Sequence, residues 1–433
     1  QNTLNINDGE NANPMFQLLT LSPLYNAYNP DGSIYNLPAT GSIDATTRNP
    51  LLLNNLDSWK QQRRRLRTFN SLYGEVKIIE GLKYRINIGL DYYSDNFGQY
   101  YGSETPFANG GANSARVENS NSGSYTIENL LMYDKTFADV HKINFTGLYS
   151  VQSIETYGST ITAQDLPSDY TLYYNLGLAN TTTVPNGTYS KSGLVSFMGR
   201  LNYSFSDRIL ATLTIRRDGS SRLAPGHQYF NYPAAALAWN IHKEGFMTGI
   251  TAISNLKLRL GAGQTSNQAI NPYSTLGLLG KVPYNFGAAG VFGYGVTSLP
   301  NPLLSWEFTT TYNVGLDFGL FTNRLTGSIE FYQSKTEDVL QPRSLPPTSG
   351  VTSVTQNVGK SENNGVVITL GGTIIDPKTP GGFSWAADVN WFMNRSKNTE
   401  LGSGVTQDIN NGWFVGHPID AIFDYKKIGI WQT

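Results

Sequence analysis

The sequence predicts an all-β chain: an antiparallel transmembrane β-barrel segment of about twelve long strands, with short periplasmic turns and long extracellular loops. Three observations predict it. Apolar and polar side chains alternate with period two over long runs. Globular strands average about five or six residues, whereas a membrane strand tilted near 45° needs about 9 to 11. Short and long connections alternate along the chain, as they do in outer-membrane barrels. Aromatic residues, among them Tyr92, Tyr203, Phe205, Phe318, Tyr312 and Trp391, gather near predicted strand ends, where an interfacial girdle lies.

In chain order the strands are predicted near 64–79, 82–94, 120–138, 142–156, 191–206, 208–217, 228–243, 255–266, 304–320, 324–337, 355–375 and 382–395. The second is the plainest. Leu82, Tyr84, Ile86, Ile88, Leu90 and Tyr92 share one face, and Lys83, Arg85, Asn87, Gly89, Asp91 and Tyr93 share the other. The fourth alternates through Ile143, Phe145, Gly147, Tyr149 and Val151. The fifth and sixth do so through Val195 to Phe205 and Ile209 to Ile215. Leu256, Leu258, Leu260 and Ala262 repeat the pattern, followed by Tyr312, Val314, Leu316 and Phe318, then Leu325 to Phe331 and Trp385 to Trp391.

The tight links fall at Glu80-Gly81, Ala138 to His141, Ser206-Asp207, Phe321 to Asn323 and Pro377 to Gly382, with a longer one at 244–254. The connections near 95–119, 157–190, 267–303 and 338–354 are long and are expected outside the cell, so that Asn109 and Asn323 lie on opposite sides of the membrane. A soluble sandwich would alternate as well, but it has little reason to gather every long connection at one end. The alternation turns Leu82, Tyr84, Ile86, Ile88, Leu90, Leu256, Leu258, Leu260, Val314, Leu316 and Ile329 toward lipid. It turns Arg85, Asn87, Arg259, Asn313, Asp317 and Glu330 toward the lumen.

Composition narrows the partners. The 433 residues carry 31 basic and 32 acidic side chains, a net charge of -1 that gives no field for a polyanion and argues against nucleic acid. With no cysteine there is no disulfide scaffold, thiol nucleophile or thiolate zinc site, and oxidising and reducing compartments stay equally open. The longest apolar run, Ala234 to Trp239, is six residues, far short of the roughly 18 of a spanning helix. The opening Gln1-Asn2-Thr3-Leu4 has neither the basic nor the apolar region of a secretory signal.

No residue constellation points to catalysis, a metal or a cofactor. His141, His227, His242 and His417 lack metal-ligand spacing to one another, and each reads better as a polar turn or interface residue. Asp408-Ile409-Asn410-Asn411-Gly412 opens like a calcium loop but lacks the distal glutamate. Gly261-Ala262-Gly263 lies inside a strand and starts no helix, so it cannot cradle a phosphate. Asp388 with Glu330, or Asp91 with Asp134, would serve a glycosidase only about 5 to 9 Å apart, and hydrated lumen charges paired with arginines are the better reading. Gln62-Arg63-Arg64-Arg65 reads as a solvated basic rim or as a contact for anionic lipopolysaccharide. The binding candidates are loop aromatics: Tyr100, Tyr101, Tyr173, Tyr174, Tyr284, Phe286, Tyr294 and Trp413. Flat rings there can stack on sugars or grip peptide side chains, and packing against a partner or plug explains them equally well.

Several stretches resemble one family. They are Arg217-Asp218-Gly219-Ser220-Ser221-Arg222, Tyr229-Phe230-Asn231-Tyr232-Pro233-Ala234, Glu244-Gly245-Phe246-Met247, Asn255-Leu256-Lys257-Leu258-Arg259 and Gly263-Gln264-Thr265-Ser266-Asn267-Gln268. Asn301-Pro302, Trp306-Glu307, Asn313 to Gly319, Leu345-Pro346-Pro347-Thr348-Ser349-Gly350, Asn357-Val358-Gly359 and Val415-Gly416-His417-Pro418-Ile419 continue the series. In this order and spacing the chain resembles the SusC/RagA-type TonB-dependent outer-membrane transporters of Bacteroidota. Residues 1–216 agree more loosely, through Tyr28 to Ser33 and Gly81 to Arg85.

The resemblance implies a barrel of about 22 strands around a plug. It also implies TonB-energised uptake of oligosaccharides (glycan uptake) or peptides, a SusD-like surface lipoprotein as partner, and an integral multi-pass place among the lipid and lipopolysaccharide of a Gram-negative outer membrane. Plug, TonB box and C-terminal strands are not seen in the sequence, so residues 1–433 are expected to be a partial barrel domain that alone neither closes nor transports. The rival expectation is a secreted β-rich adhesin or glycan-active β-protein whose apolar faces pack together.

Overall fold

The computed structural model describes residues 19, 26–35, 49–54, 58–108, 111–287, 289–376, 381–409, 411–426 and 428–429. Asn109, Asn410 and the start of the turn expected at 377–382 lie outside the described residues. The strands are β1 (Trp59–Ile79), β2 (Leu82–Tyr101), β3 (Ser114–Phe137), β4 (His141–Gln164), β5 (Thr181–Thr182), β6 (Asn186–Phe205), β7 (Ile209–Ser220), β8 (Tyr229–Asn240), β9 (Ile253–Asn267), β10 (Leu278–Phe286), β11 (Ala289–Ser298), β12 (Glu307–Leu320), β13 (Leu325–Glu337), β14 (Leu340–Ser344), β15 (Ser353–Asn357), β16 (Lys360–Ile375), β17 (Trp385–Glu400), β18 (Gln407–Asp408) and β19 (Trp413–Phe414). One large sheet runs β1-β2-β3-β4-β6-β7-β8-β9-β12-β13-β16-β17, with β5 beside β4, and its twelve long members are the strands predicted from alternation. The pairs β10-β11, β14-β15 and β18-β19 form separate two-stranded ribbons.

The chain divides into two compact units. The first holds residues 1–71, 89–125 and 153–191, and the second holds 72–88, 126–152 and 192–433. In the first unit Tyr100, Ala115 and Leu166 form a small buried cluster, against which Leu172, Tyr173, Leu176 and Ala179 pack. Tyr28-Asn29-Pro30-Asp31-Gly32-Ser33 makes a tight turn: Gly32 takes φ +83°, the Ser33 N–H bonds the Asp31 carboxylate at 2.9 Å, and Tyr28 bridges Ile34.

In the second unit the register lines up apolar side chains across eight strands. Val314 pairs with Leu260 and Phe331, and Leu316 pairs with Leu258 and Ile329. The rows pass through Val366 and Ile368 to Met393 and Trp391. On the other side they continue through Leu237 and Trp239, then Ala211 and Ile209, to Tyr203 and Phe205. Leu237, Val314, Phe331, Val389 and Trp391 all stay exposed. Water expels such surface at roughly 25 cal/mol per Å², so a sheet that leaves whole rows bare is built for contact with hydrocarbon. The small buried core of this unit, Leu223, Ile270, Leu304 and Trp306, lies among the connections instead.

The tight turns are mirror-image turns, whose twist matches that of the strands they join. Ala138 and Asp139 have positive φ, as do Ser206 and Asp207, and the bonds Val140 N–H to Phe137 O (3.2 Å) and Arg208 N–H to Phe205 O (2.9 Å) close them. Gly81 is required because a Cβ there would collide with the Asp134 carbonyl oxygen.

The larger boundary differences fall at the end away from the tight turns; at the turn end β8 stops at Asn240 and β17 starts at Trp385, each three residues inside expectation. β2 runs on to Tyr101, β3 starts at Ser114 and β4 reaches Gln164, each beyond the predicted limits of 94, 120 and 156. Alternation reports which medium each face meets, and it fades at these ends, where the connections cover the strands and bury Tyr100, Tyr101, Ala115 and Ala163 while the backbone ladder continues. The span expected as one strand at 355–375 breaks at Gly359, which takes φ +86° and separates β15 from β16.

Candidate functional site

Opposite the apolar rows, the second unit's sheet carries a polar ladder. Arg259 on β9 reaches Asp317 on β12 with two bonds of 2.9 Å, and its Nη2 donates to Glu330 on β13 at 3.3 Å. The Asn313 amide donates to the same Glu330 carboxylate. Gly315, opposite Arg259 in register, makes room: a Cβ there would lie 2.9 Å from the guanidinium. Further along the sheet Thr212 donates to Asn202 and Asn202 to Asn144, both at 2.9 Å, and the Asn144 amide donates to Asp134. Arg216 bonds Asp218 at 2.9 Å and Ser196 at 3.0 Å. Tyr332 spans Gly365 to donate to Asn394 at 2.9 Å. A second group on β2 and β3 joins Arg85 to Asn87 at 2.8 Å and Asn87 to Glu128 at 3.1 Å.

The carboxylates do not form a catalytic pair. Glu330 sits in the row of Val367 and Phe392, whereas Asp388 sits opposite Gly371, four residues further along β16 and so about 13 Å away along the strand. Asp91 is held by Arg67 and Asp134 by Asn144, each satisfied by its own neighbour.

The first unit gathers four of the candidate aromatics, but only one offers an open ring. Tyr100 is fully buried, its hydroxyl donating to Asp169. Asn113 ties this core together, accepting the Leu166 N–H at 2.7 Å and donating to the Leu166 carbonyl at 3.0 Å and to Asp169 at 3.3 Å. Tyr101 is buried and stacks on Phe107 at 4.1 Å. Tyr173 is half-buried across the bare Cα of Gly98 and donates to Gln62 at 2.7 Å; burial pushes its phenol up to about 12. Tyr174 is exposed and receives a hydrogen bond of 3.0 Å from Lys60, which lowers its phenol. Sequence reasoning missed Asn113, Leu166 and Asp169, whose role depends on partners more than fifty residues away and leaves no local pattern.

The other four lie in the second unit. Tyr284 and Phe286 stand on one face of the β10-β11 ribbon, edge to face at 4.8 Å and both exposed; Tyr294 is exposed on the opposite face, in register with Lys281. Trp413 is half-buried and lines a pocket of about 520 Å³ together with Gln341, Arg343, Leu401 and Asp408. The Asp408 carboxylate accepts from the Asn411 backbone and side chain at 3.2 and 2.8 Å, an ordinary Asx turn ending at Gly412 with φ +69°. His141 bonds the Tyr203 hydroxyl at 2.8 Å, and the Leu256 N–H donates to His242 at 3.3 Å, so both serve as polar packing groups.

A long sheet with one bare apolar face, one polar face, tight turns at one end and aromatic loops at the other is the architecture of a receptor barrel. The family described as TonB dependent receptor-like, beta-barrel matches residues 9–425. The chain belongs to this family. It is 31% identical over 419 residues to TonB-dependent receptor P3 of Formosa agariphila, a match covering 93% of this chain and 41% of the relative. It is 39% identical over 226 residues to TonB-dependent receptor SusC of Bacteroides thetaiotaomicron, covering 51% of this chain and 22% of that one. The fold is similar to that of the RagAB peptide transporter, with a TM-score of 0.78 and 24% identity over 91% of this chain and 43% of the other. The chain spans about two-fifths of the length of the first of these relatives. The SusC/RagA-type resemblance is thereby shown: this is β-barrel sheet of the TonB-dependent receptor family.

Proposed function

We propose that the chain is the barrel portion of a nutrient importer that takes up an oligosaccharide or a peptide across the outer membrane, energised by TonB and served by a SusD-like surface lipoprotein. The observation that carries the reading is the two-faced sheet: apolar rows for lipid on one side, and on the other the Arg259–Asp317–Glu330 ladder facing an aqueous lumen. The exposed rings of Tyr174, Tyr284, Phe286 and Tyr294, with Trp413 in its pocket, are the substrate contacts of this reading. Tyr100 and Tyr101 act behind them as scaffold, because a buried ring has no face to offer a ligand.

The test is uptake in a strain deleted for the full-length receptor and complemented with wild type or variants, supplied separately with labelled oligosaccharides and oligopeptides. Restoration of one class by wild type, with a loss on Tyr284→Ala/Phe286→Ala, supports the reading and names the substrate class. Growth on both classes indifferent to the deletion would remove it. A tag inserted at Gly287 should be labelled on intact cells and one at Asn323 should not; the reverse would invert the membrane topology.

A further inference from the structure

On the apolar side of the sheet, at the end of β7 away from its tight turn, stands an arginine with no acid beside it. Arg217 is exposed, and among the described residues no carboxylate pairs with it. Its guanidinium lies 5.1 Å from the centre of the Tyr229 ring. Phe197 and Asn231 flank it in register, and Phe197 in turn packs on Tyr149 at 5.1 Å. A cation among aromatic rings on a lipid-facing surface marks the headgroup level, where the cost of a lipid-facing arginine falls away. The neighbouring Arg216 points to the polar face and is held by Asp218. Of the basic run expected to meet lipopolysaccharide, Arg63 and Arg65 pair with Asp95 at 3.3 and 2.9 Å, whereas Arg64 reaches only the Gln62 amide oxygen, at 3.5 Å.

Directly deeper, toward the tight turns, the apolar face opens into a groove of about 640 Å³, within the range of ligand pockets. One row of the register builds it. Leu201 and Leu213 form one wall, Tyr312 forms the other, and Ala235 and Ala262 are the floor between them. Ile215 joins the groove to Arg217, two residues and about 7 Å up the same face. A cation at the interface above an apolar trough running toward the bilayer centre matches an anionic headgroup with a hydrocarbon tail. The end of the sheet carrying the long connections places it in the outer leaflet.

We propose that Arg217 and this groove bind lipid A, the guanidinium forking onto a phosphate and one acyl chain lying over Ala235 and Ala262. The site rests on the reading above that the apolar rows meet the membrane and the long connections face outward.

The experiment uses the full-length receptor in detergent, titrated with lipid A, dephosphorylated lipid A and phosphatidylethanolamine and read by native mass spectrometry. Wild type should bind lipid A about tenfold more tightly than Arg217→Gln, as expected for loss of a charge-assisted bond. Arg217→Lys should fall between them, and Ala235→Phe, which fills the groove from an exposed position, should also weaken binding. Dephosphorylated lipid A should bind wild type as weakly as lipid A binds Arg217→Gln. Equal binding by all variants, or phosphatidylethanolamine competing at equal concentration, overturns the site while leaving the membrane reading intact. A receptor that stays folded and monodisperse after detergent removal overturns both.

Discussion

Tyr100 and Tyr284 look alike in the sequence, each an aromatic in a connection expected to be long, and the structure treats them oppositely. Tyr100 is sealed into a small core by Asp169 and by the Asn113 to Leu166 clasp, with Asp169 and Leu166 brought from more than sixty residues away. Tyr284 sits on a ribbon whose strands pair only with each other, and it is exposed beside Phe286. The rings are chemically the same; what differs is whether distant chain supplies a polar partner for the hydroxyl and an apolar wall for the face. Loop aromatics of the first kind hold a scaffold, and those of the second are free to meet a ligand.

The largest effect should come from breaking the sealed side. Tyr100→Ala removes a fully buried ring and should destabilise the first unit's connections by about 3 to 5 kcal/mol, whereas Tyr100→Phe, which loses one hydrogen bond while Asn113 still donates to Asp169 at 3.3 Å, should cost only about 1 kcal/mol. Hydrogen exchange of the full-length receptor over residues 160–180 checks this. Unchanged protection in Tyr100→Ala would mean that the core is not what orders these connections. Next, the two faces of β12 should differ as the two tyrosines do. Leu316→Arg on the apolar face should cost about 2 to 4 kcal/mol, while Asn313→Arg on the polar face should be tolerated far better, as measured by denaturant titration in lipid. Equal penalties would dissolve the distinction between the faces.

The sequence made the twelve long strands and their two faces legible because period two is a local signal, strengthened where one face meets hydrocarbon and the other water. It lost the signal wherever that contrast vanished. The ends of β2, β3 and β4, where connections cover the strands and bury Tyr100, Ala115 and Ala163, read as loops in the sequence. So does the β10-β11 ribbon, which is exposed and interrupted by Gly280, Gly290, Gly293 and Gly295. Candidate binding residues were legible as a composition, aromatic and in the connections. Which of them are buried was not legible, because Asn113 and Asp169 act on Tyr100 through contacts that no spacing records. The Arg259 ladder was half legible: alternation put Arg259, Asp317 and Glu330 on one face, but the role of Gly315 as the gap that admits the guanidinium appears only in three dimensions.

That gap gives a smaller prediction. Gly315→Ala places a Cβ 2.9 Å from the tip of a flexible side chain, which can swing aside, so the cost should be about 1 kcal/mol, with the Arg259 bonds to Asp317 and Glu330 loosened. Pairing it with Asp317→Asn in a double-mutant cycle checks the route: an interaction energy near zero would show that Gly315 does not act through the Arg259–Asp317 pair.

The smallest effect on stability should come from the open side, and there it separates a ligand contact from a scaffold. Tyr284→Ala and Phe286→Ala remove exposed rings that touch mainly each other, so denaturant midpoints should move by no more than about 0.5 kcal/mol. If the pair grips substrate, each loss should raise the KM for uptake by about three- to tenfold, the equivalent of an aromatic contact of about 0.5 to 1.5 kcal/mol, and leave the maximal rate alone, since the ring is engaged equally before and during passage. Tyr100→Phe should show the mirror image: lower stability with an unchanged KM. A KM rise in Tyr100→Phe without one in Tyr284→Ala would reverse the assignment, because the sealed ring would then shape the binding surface and the exposed ribbon would be left without a role in capture.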